Sequence, residues 1–313
     1  MLNKITQGDC LVESDNIASG SVDLILTDLP YGTVTGAPKN WTVSNESSHK
    51  WDLALTPKDV YAIANRILRK NGKMVLFSQE PYTTRLITEA NANVPFSYRA
   101  IWEKDNFANA LLCNKAMVGY YEDVLIFSKT HDTDGIHPLR VYFKLVMDYV
   151  GLNLKQINLT LGHRRAEHTF YVASTQYGLC TEQTYDELIR VFNIDEMYGF
   201  IEYSELKRID NEFKRDLPST FNLWEDGKYK SNILRYKKDY NGYHPTQKPV
   251  ALLEDLIKTF SNEGNTVVDL TAGSGSTAVA SINTRRNFIA IEQDTKYVEI
   301  ARQRISGALQ TNK

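Results

Sequence analysis

The chain has 313 residues, with 36 Lys and Arg against 38 Asp and Glu, for a net charge of −2. That length favours one large α/β domain with a smaller one inserted or appended, and the near-zero charge excludes a global positive field, though a local basic face can be diluted by a large catalytic domain. Three cysteines, Cys10, Cys113 and Cys180, lie far apart without metal-type spacing, which argues for a reducing compartment and against a zinc site. With neither a signal peptide nor a long apolar span, the expectation is a cytoplasmic protein that meets no membrane.

In chain order, residues 4–11 read as a short strand ending in a turn, and residues 14–19 as one or two helical turns. Residues 22–27 form an apolar, β-branched run of strand length that stops at Asp28-Leu29-Pro30-Tyr31-Gly32. Such an ending suits an active-site tip at the carboxyl end of a buried strand. It suits an ordinary strand followed by a Pro-Tyr-Gly turn equally well. Residues 33–50, rich in Gly, Pro, Ser, Thr and Asn, read as a long loop beside that tip. Thr56-Pro57 opens a helix carrying Val60, Ile63, Ala64, Ile67 and Leu68, with Asn71-Gly72 as its end. A strand at 73–78, a helix at 83–90 and strands at 96–103 and 123–128 continue the alternation of a doubly wound sheet.

The texture changes over 131–230, where helical segments replace the strand-helix beat. Val141, Leu145, Val146 and Tyr149 mark one helix, and Asn153 caps a second with Leu154, Ile157 and Leu161. The turn Leu161-Gly162 then leads into a helix predicted from His163-Arg164-Arg165 to Phe170. This layout is that of a helix-turn-helix reader of DNA, and it is equally that of many all-α subdomains. A helix at 184–192 and a solvated, charge-alternating one at 202–216 complete the region.

The sheet resumes with an amphipathic helix at 250–260 and a strand at 266–270. That strand runs into Thr271-Ala272-Gly273-Ser274-Gly275-Ser276-Thr277-Ala278 at the start of another helix, 277–284. A strand at 287–291 ends on Glu292, and Asp294 caps the last helix. Glycines allow close backbone approach, a helix N-terminus offers N–H groups, and an acid about twenty residues on can hold a ribose. Any nucleoside-containing cofactor satisfies this pattern, so the turn alone does not separate NAD from S-adenosylmethionine.

Just upstream stands His244-Pro245-Thr246-Gln247-Lys248-Pro249. Asp28-Leu29-Pro30-Tyr31, this hexapeptide, and Asp269-Leu270-Thr271-Ala272-Gly273-Ser274-Gly275, in that order, resemble the amino-group DNA methyltransferases of the β group, in which the catalytic motif precedes the cofactor motif. The resemblance covers roughly 3–128 and 231–313, including Gly8-Asp9, Trp102-Glu103-Lys104, Glu122 to Phe127 and Ile291-Glu292. It implies a doubly wound, mostly parallel seven-stranded Rossmann-like methyltransferase sheet with an inserted, mainly helical target-recognition domain. The halves would be 1–130 (catalytic) and 231–313 (cofactor-binding), with 131–230 between them.

The resemblance further implies S-adenosylmethionine as cofactor and double-stranded DNA as partner, in a family where homodimers are common. Asp28, Leu29, Pro30 and Tyr31 would be catalytic: Asp28 and the Leu29 carbonyl would accept the two N–H bonds of an exocyclic amine, and Tyr31 would stack on a flipped-out base. Leu29 departs from the family's usual Asp-Pro-Pro-Tyr, but a main-chain carbonyl can come from any residue, and Pro30 still biases Leu29 toward extended backbone. Asp269, Thr271, Gly273 and Gly275 would line the cofactor and Glu292 would hold its ribose. Thr246 and Lys248 would lie near its methionine end, and Asp9 near its adenine. His163, Arg164 and Arg165, then Lys237 and Lys238, are the expected DNA contacts. The leading Asp favours adenine N6 over cytosine N4. An RNA or protein-glutamine methyltransferase and a non-catalytic DNA-binding protein are the other readings.

Overall fold

The computed structural model describes residues 1–30, 55–108, 113–115, 117–131, 137–173, 177–215, 219–225, 227–243 and 246–311. Tyr31, the loop expected at 33–50, and His244-Pro245 lie outside the described residues. Two compact units emerge: 1–130 together with 219–313, and 131–218.

In the larger unit the elements run β1 (Lys4–Gln7), α1 (Cys10–Glu13), β2 (Val22–Asp28), α2 (Pro57–Ile67), β3 (Leu68–Ser78), α3 (Tyr82–Thr88), β4 (Phe96–Ala108) and β5 (Gly119–Ser128). The smaller unit contributes α4 (Leu139–Val150), α5 (Leu154–Leu161), α6 (Glu182–Phe192) and α7 (Tyr203–Arg215). The larger unit then resumes with β6 (Ile233–Arg235), α8 (Val250–Phe260), β7 (Thr266–Asp269), α9 (Ser276–Asn283), β8 (Asn287–Glu292) and α10 (Thr295–Thr311).

One sheet of eight strands, in the order β1-β8-β7-β2-β3-β5-β4-β6, organises the larger unit. Every strand runs the same way except β5, which is antiparallel to both β3 and β4. The expected seven strands become eight because β6 pairs with β4. That edge strand has three residues with only Leu234 buried, too short for any alternation to be read. Both faces of the central strands are covered. Ile25, Met74, Leu76 and Phe127 pack under α2 and α3, whereas Leu24, Leu26, Val75 and Phe77 pack under Leu252, Leu253, Leu256 and Ile257 of α8. This two-sided burial is why β2 reads as a continuous apolar run.

The order places β7, from the far end of the chain, directly against β2, with Leu24 opposite Val267 and Ile25 opposite Val268. Asp28 and Thr271, at the ends of these two strands, therefore meet across a sequence separation of 243. Two boundaries differ from expectation. Thr56 caps α2 through the amide of Asp59, but the helix ends at Ile67, and Asn71-Gly72 is a register shift inside β3. Asn71 sits at φ 64, and a Cβ on Gly72 would meet the Arg69 carbonyl at 2.9 Å. Residues 219–230 belong with the sheet and not with the insert, since Asn222 bonds the carbonyls of Lys258 and Ser261 and Trp224 donates to Asp255.

The smaller unit has its own core of Leu139, Tyr142, Phe143, Val146, Ile157, Phe170, Tyr185 and Leu188. Tyr142 and Phe143 take the inward face of α4, so Val141, Leu145 and Tyr149, whose spacing marks the helix, are exposed. The helix expected over 163–170 is not an α-helix. Gly162 ends α5 at φ 73, and the bonds that follow, Glu167 amide to Arg164 carbonyl and Thr169 amide to Ala166 carbonyl, span three residues, leaving only a 3₁₀ turn at Glu167–Phe170. Among the described residues, no helix is long and apolar enough to cross a membrane.

Candidate active site

The site lies where the carboxyl ends of β2, β7 and β8 come together. Asp28 is the last residue of β2 and is partly exposed beyond the wholly buried Leu24, Ile25 and Leu26. Its own carbonyl accepts from the Thr271 hydroxyl at 2.9 Å, and Thr27 Oγ1 lies 2.9 Å from Thr271 Oγ1 and donates to Asp269 at 2.8 Å. These bonds hold the acid's backbone against the turn after β7. Leu29, only 1% exposed, packs its side chain into the core beneath α2 and α3. Core packing thus fixes the main chain where a proline ring would otherwise have done so.

Lys248, from the segment preceding α8, buries its ammonium against the Asp28 carboxylate and reaches Glu122 of β5 at 3.2 Å. Glu122 in turn takes Lys104 of β4 at 2.5 Å. Burial lowers the proton affinity of Lys248, but Asp28 and Glu122 outweigh it and hold its pKa above the usual lysine value. Burial likewise pushes Glu122 up, and Lys248 followed by Lys104 more than reverse this, leaving it below the usual carboxylate range. The aromatic floor is Phe77, 5.1 Å beneath the Lys248 ammonium, and Trp102, 5.2 Å beneath that of Lys104.

On the other side of Asp28, Gly273 and Gly275 adopt φ of 50 and 80, and α9 starts immediately after. A Cβ on Gly275 would lie 2.8 Å from the Ala301 Cβ, so α9 and α10 approach closely because this residue has none. Glu292, at the end of β8, accepts from the Gly273 amide at 2.7 Å and the Asp294 amide at 2.8 Å. Burial raises its pKa above the usual value against these bonds. Gly8 donates to the Glu292 carbonyl at 3.0 Å, and Asp9 caps α1 through the amide of Leu11. The buried Asp269 is pushed up to about 6 by desolvation, opposed by hydrogen bonds from Thr277, Thr27 and the Thr271 amide.

A carboxyl raised in this way keeps a proton that the unfolded chain has already lost. Its contribution to stability is present below the unfolded value of about 4 and is lost as the pH climbs to about 6. Asp269→Asn should remove that slope. Denaturant unfolding of both proteins at pH 4.5 and 6.5 should show their stability difference changing by about 2 kcal/mol in favour of the variant at the higher pH; a difference that does not change with pH would contradict the assignment.

A family model for N6/N4 DNA methylases matches residues 22–303. The chain belongs to that DNA methylase family. It is 40% identical over 305 residues to the putative methylase YubD of Escherichia coli K12, covering 97% of this chain and 91% of the relative. It is 25% identical over 313 residues to the DNA adenine methyltransferase YhdJ of the same organism, covering 97% and 83%. Among solved structures, an S-adenosylmethionine complex of M1.HpyAVI shares the fold with a TM-score of 0.51 and 18% identity, covering 96% of this chain and 98% of that one.

In this DNA methylase the structure brings Asp28, Thr271, Asp269, Gly273, Gly275, Glu292 and Asp9 to one end of the sheet, where the parallel strands finish. Lys248, expected beside the cofactor's methionine end, has its ammonium on Asp28 and Glu122; the exposed Thr246 offers it a carbonyl at 3.4 Å. Lys237 is exposed, while Lys238 is tied to β4 by its amide on Asp105 and its ammonium on the Phe107 carbonyl. His163, Arg164 and Arg165 lie in the smaller unit, where His163 pairs with Glu187 at 2.8 Å, Arg165 with Glu187 at 3.4 Å, and Arg164 with Glu167. Glu122 and Lys104 were not singled out as site residues from sequence. The available signal was their place within Trp102-Glu103-Lys104 and the run beginning at Glu122.

Proposed function

We propose that this DNA methylase transfers a methyl group from S-adenosylmethionine to the N6 amine of an adenine flipped out of duplex DNA. The observation that carries the reading is the Thr271–Asp28 bond, which sets a carboxylate at the tip of β2 directly against the glycine turn that would hold the cofactor. The cradle fits that group: two glycines in left-handed conformation leave room for close approach, and Glu292 is fixed by two amides at the strand end where ribose hydroxyls would need an acceptor. S-adenosylmethionine, when bound, supplies a methyl group already activated on a sulfonium.

The amine's lone pair is delocalised into the purine ring, so the free amine is a poor nucleophile. Asp28 and the Leu29 carbonyl would accept its two N–H bonds and turn the lone pair out of the ring plane. The nitrogen would give that pair to the methyl carbon while the carbon–sulfur pair stayed on sulfur, and it would be positive until its proton passed to water. Positioning and electrostatics carry the barrier, with no covalent enzyme intermediate. The adenine choice is supported by Asp at the head of the tetrapeptide and by the full-length similarity to a DNA adenine methyltransferase. Cytosine N4, which the same family model covers, is the competing base.

Incubation with radiolabelled S-adenosylmethionine and equal masses of duplex DNA, RNA and protein should label the DNA. Label in RNA or protein alone would overturn the reading. In the smaller unit, Arg164→Ala with Arg165→Ala should weaken duplex binding about tenfold or more at low salt and flatten its salt dependence, since each arginine would neutralise a phosphate. Unchanged binding in a gel-shift titration would remove these residues from the DNA contacts.

A further inference from the structure

Four buried or partly buried charges alternate in sign along the end of the sheet at which β2 and β4 finish: Asp28, Lys248, Glu122 and Lys104. The contacts are the Lys248 ammonium on Asp28, 3.2 Å from Lys248 to Glu122 and 2.5 Å from Glu122 to Lys104. Lys248, Glu122 and Lys104 are each less than a tenth exposed. A buried ion chain of this kind is weak as a stability device, because apolar residues of the same volume commonly do as well or better. Its location is informative, since one end of the chain is the carboxylate that would hold the reacting amine.

We propose that Glu122 is a positioning residue for methyl transfer, holding Lys248 on Asp28 and cancelling its charge, with Lys104 balancing Glu122 in turn. This rests on the methyl-transfer reading above. Lysine is a point charge on a flexible stem, and a single contact to Asp28 would leave its direction loose; Glu122 supplies a second contact and Phe77 a face beneath it. The electrostatic need is specific to the reaction, because the amine nitrogen becomes positive as the new bond forms. The four groups sum to zero charge. With Glu122 neutralised they would sum to +1 beside that nitrogen, in a site where water screens poorly.

The surrounding charges do not replace Glu122. Asp269 lies behind the Thr27 and Thr271 hydroxyls, Lys238 bonds the Phe107 carbonyl, and Asp123, next along β5, takes the Thr83 hydroxyl and lies 3.5 Å from Arg99.

The test separates charge from packing. Glu122→Gln should lower kcat about ten- to hundredfold, with the KM for S-adenosylmethionine within about twofold of wild type. The double variant Glu122→Gln with Lys104→Met restores zero net charge and should regain at least about fivefold of that loss. A double variant as slow as Glu122→Gln, or a loss carried mainly by the KM for S-adenosylmethionine, would overturn the proposal. Should Glu122→Gln fail to fold, the double variant is compared with wild type directly, and a loss in kcat of more than about twentyfold would overturn the proposal as well. Wild-type protein that transfers no methyl group to any DNA would instead sink the functional reading.

Discussion

Asp28→Ala should abolish methyl transfer, by about a thousandfold or more, while S-adenosylmethionine still binds within about fivefold of wild type. The two effects separate because different parts of Asp28 serve them. Its carbonyl, which accepts from Thr271, is main chain and survives the substitution, so the turn at Gly273 and Gly275 keeps its place beside β2. Glu292 sits at the end of β8, and its amide partners Gly273 and Asp294 sit on the turns after β7 and β8, independent of the lost side chain. What disappears is the acceptor that would pull the amine out of conjugation. Lys248 keeps Glu122 as a partner, which limits the cost to folding. Single-turnover transfer and equilibrium binding of labelled cofactor read the two quantities apart, and equal losses in both would make Asp28 a cofactor ligand first.

Lys248→Met should be the most damaging substitution outside the tetrapeptide. Removing one partner of a buried charge pair typically costs about 3–5 kcal/mol, since the other is left without compensation, and here two carboxylates, Asp28 and Glu122, lose the cation between them. The deficit should depend on pH. Glu122 is held below the usual carboxylate range in the folded protein chiefly by Lys248, against burial. A depressed carboxylate stabilises the fold above its unfolded value of about 4.3, and that contribution is lost as the pH falls below it. Without Lys248, burial raises the same carboxyl instead, so the variant loses stability as the pH climbs above about 4.3, and the difference between wild type and variant should be greatest near pH 7 and shrink toward pH 4. Transfer should fall at least about a hundredfold, because two carboxylates forced together share a proton, and a protonated acid at position 28 is a weaker acceptor for the amine's hydrogen and has no negative charge to set against the positive nitrogen. Thermal melts across pH 4–7 check the first claim. A pH-independent deficit would mean that Lys248 contributes by packing against Phe77 alone.

Both strand tips were legible in the sequence for the same reason: local chemistry dictates them. An apolar run ending in Asp-Leu-Pro, and a strand running into Gly-Ser-Gly, have few structural interpretations, and their order along the chain narrowed these further. The charge chain was not legible because its members come from β2, β4, β5 and the segment before α8, and only the strand order brings them together. No spacing in sequence encodes that Glu122 lies opposite Trp102 and so beside Lys104. The smaller unit was read least accurately. Basic residues after Gly162 resemble a recognition helix by composition, yet Glu167 and Glu187 supply nearby acids, and the backbone takes three-residue turns. On α4 the inward stripe is offset by one residue because the two aromatic residues, Tyr142 and Phe143, claim the core.

The identity of the modified base tests the account most directly. Duplex DNA lacking prior methylation, incubated with methyl-labelled S-adenosylmethionine, is digested to nucleosides and resolved by chromatography. Label is expected in N6-methyladenine with wild-type protein and none with Asp28→Ala; label in N4-methylcytosine, or transfer that survives the loss of Asp28, would contradict the proposed function.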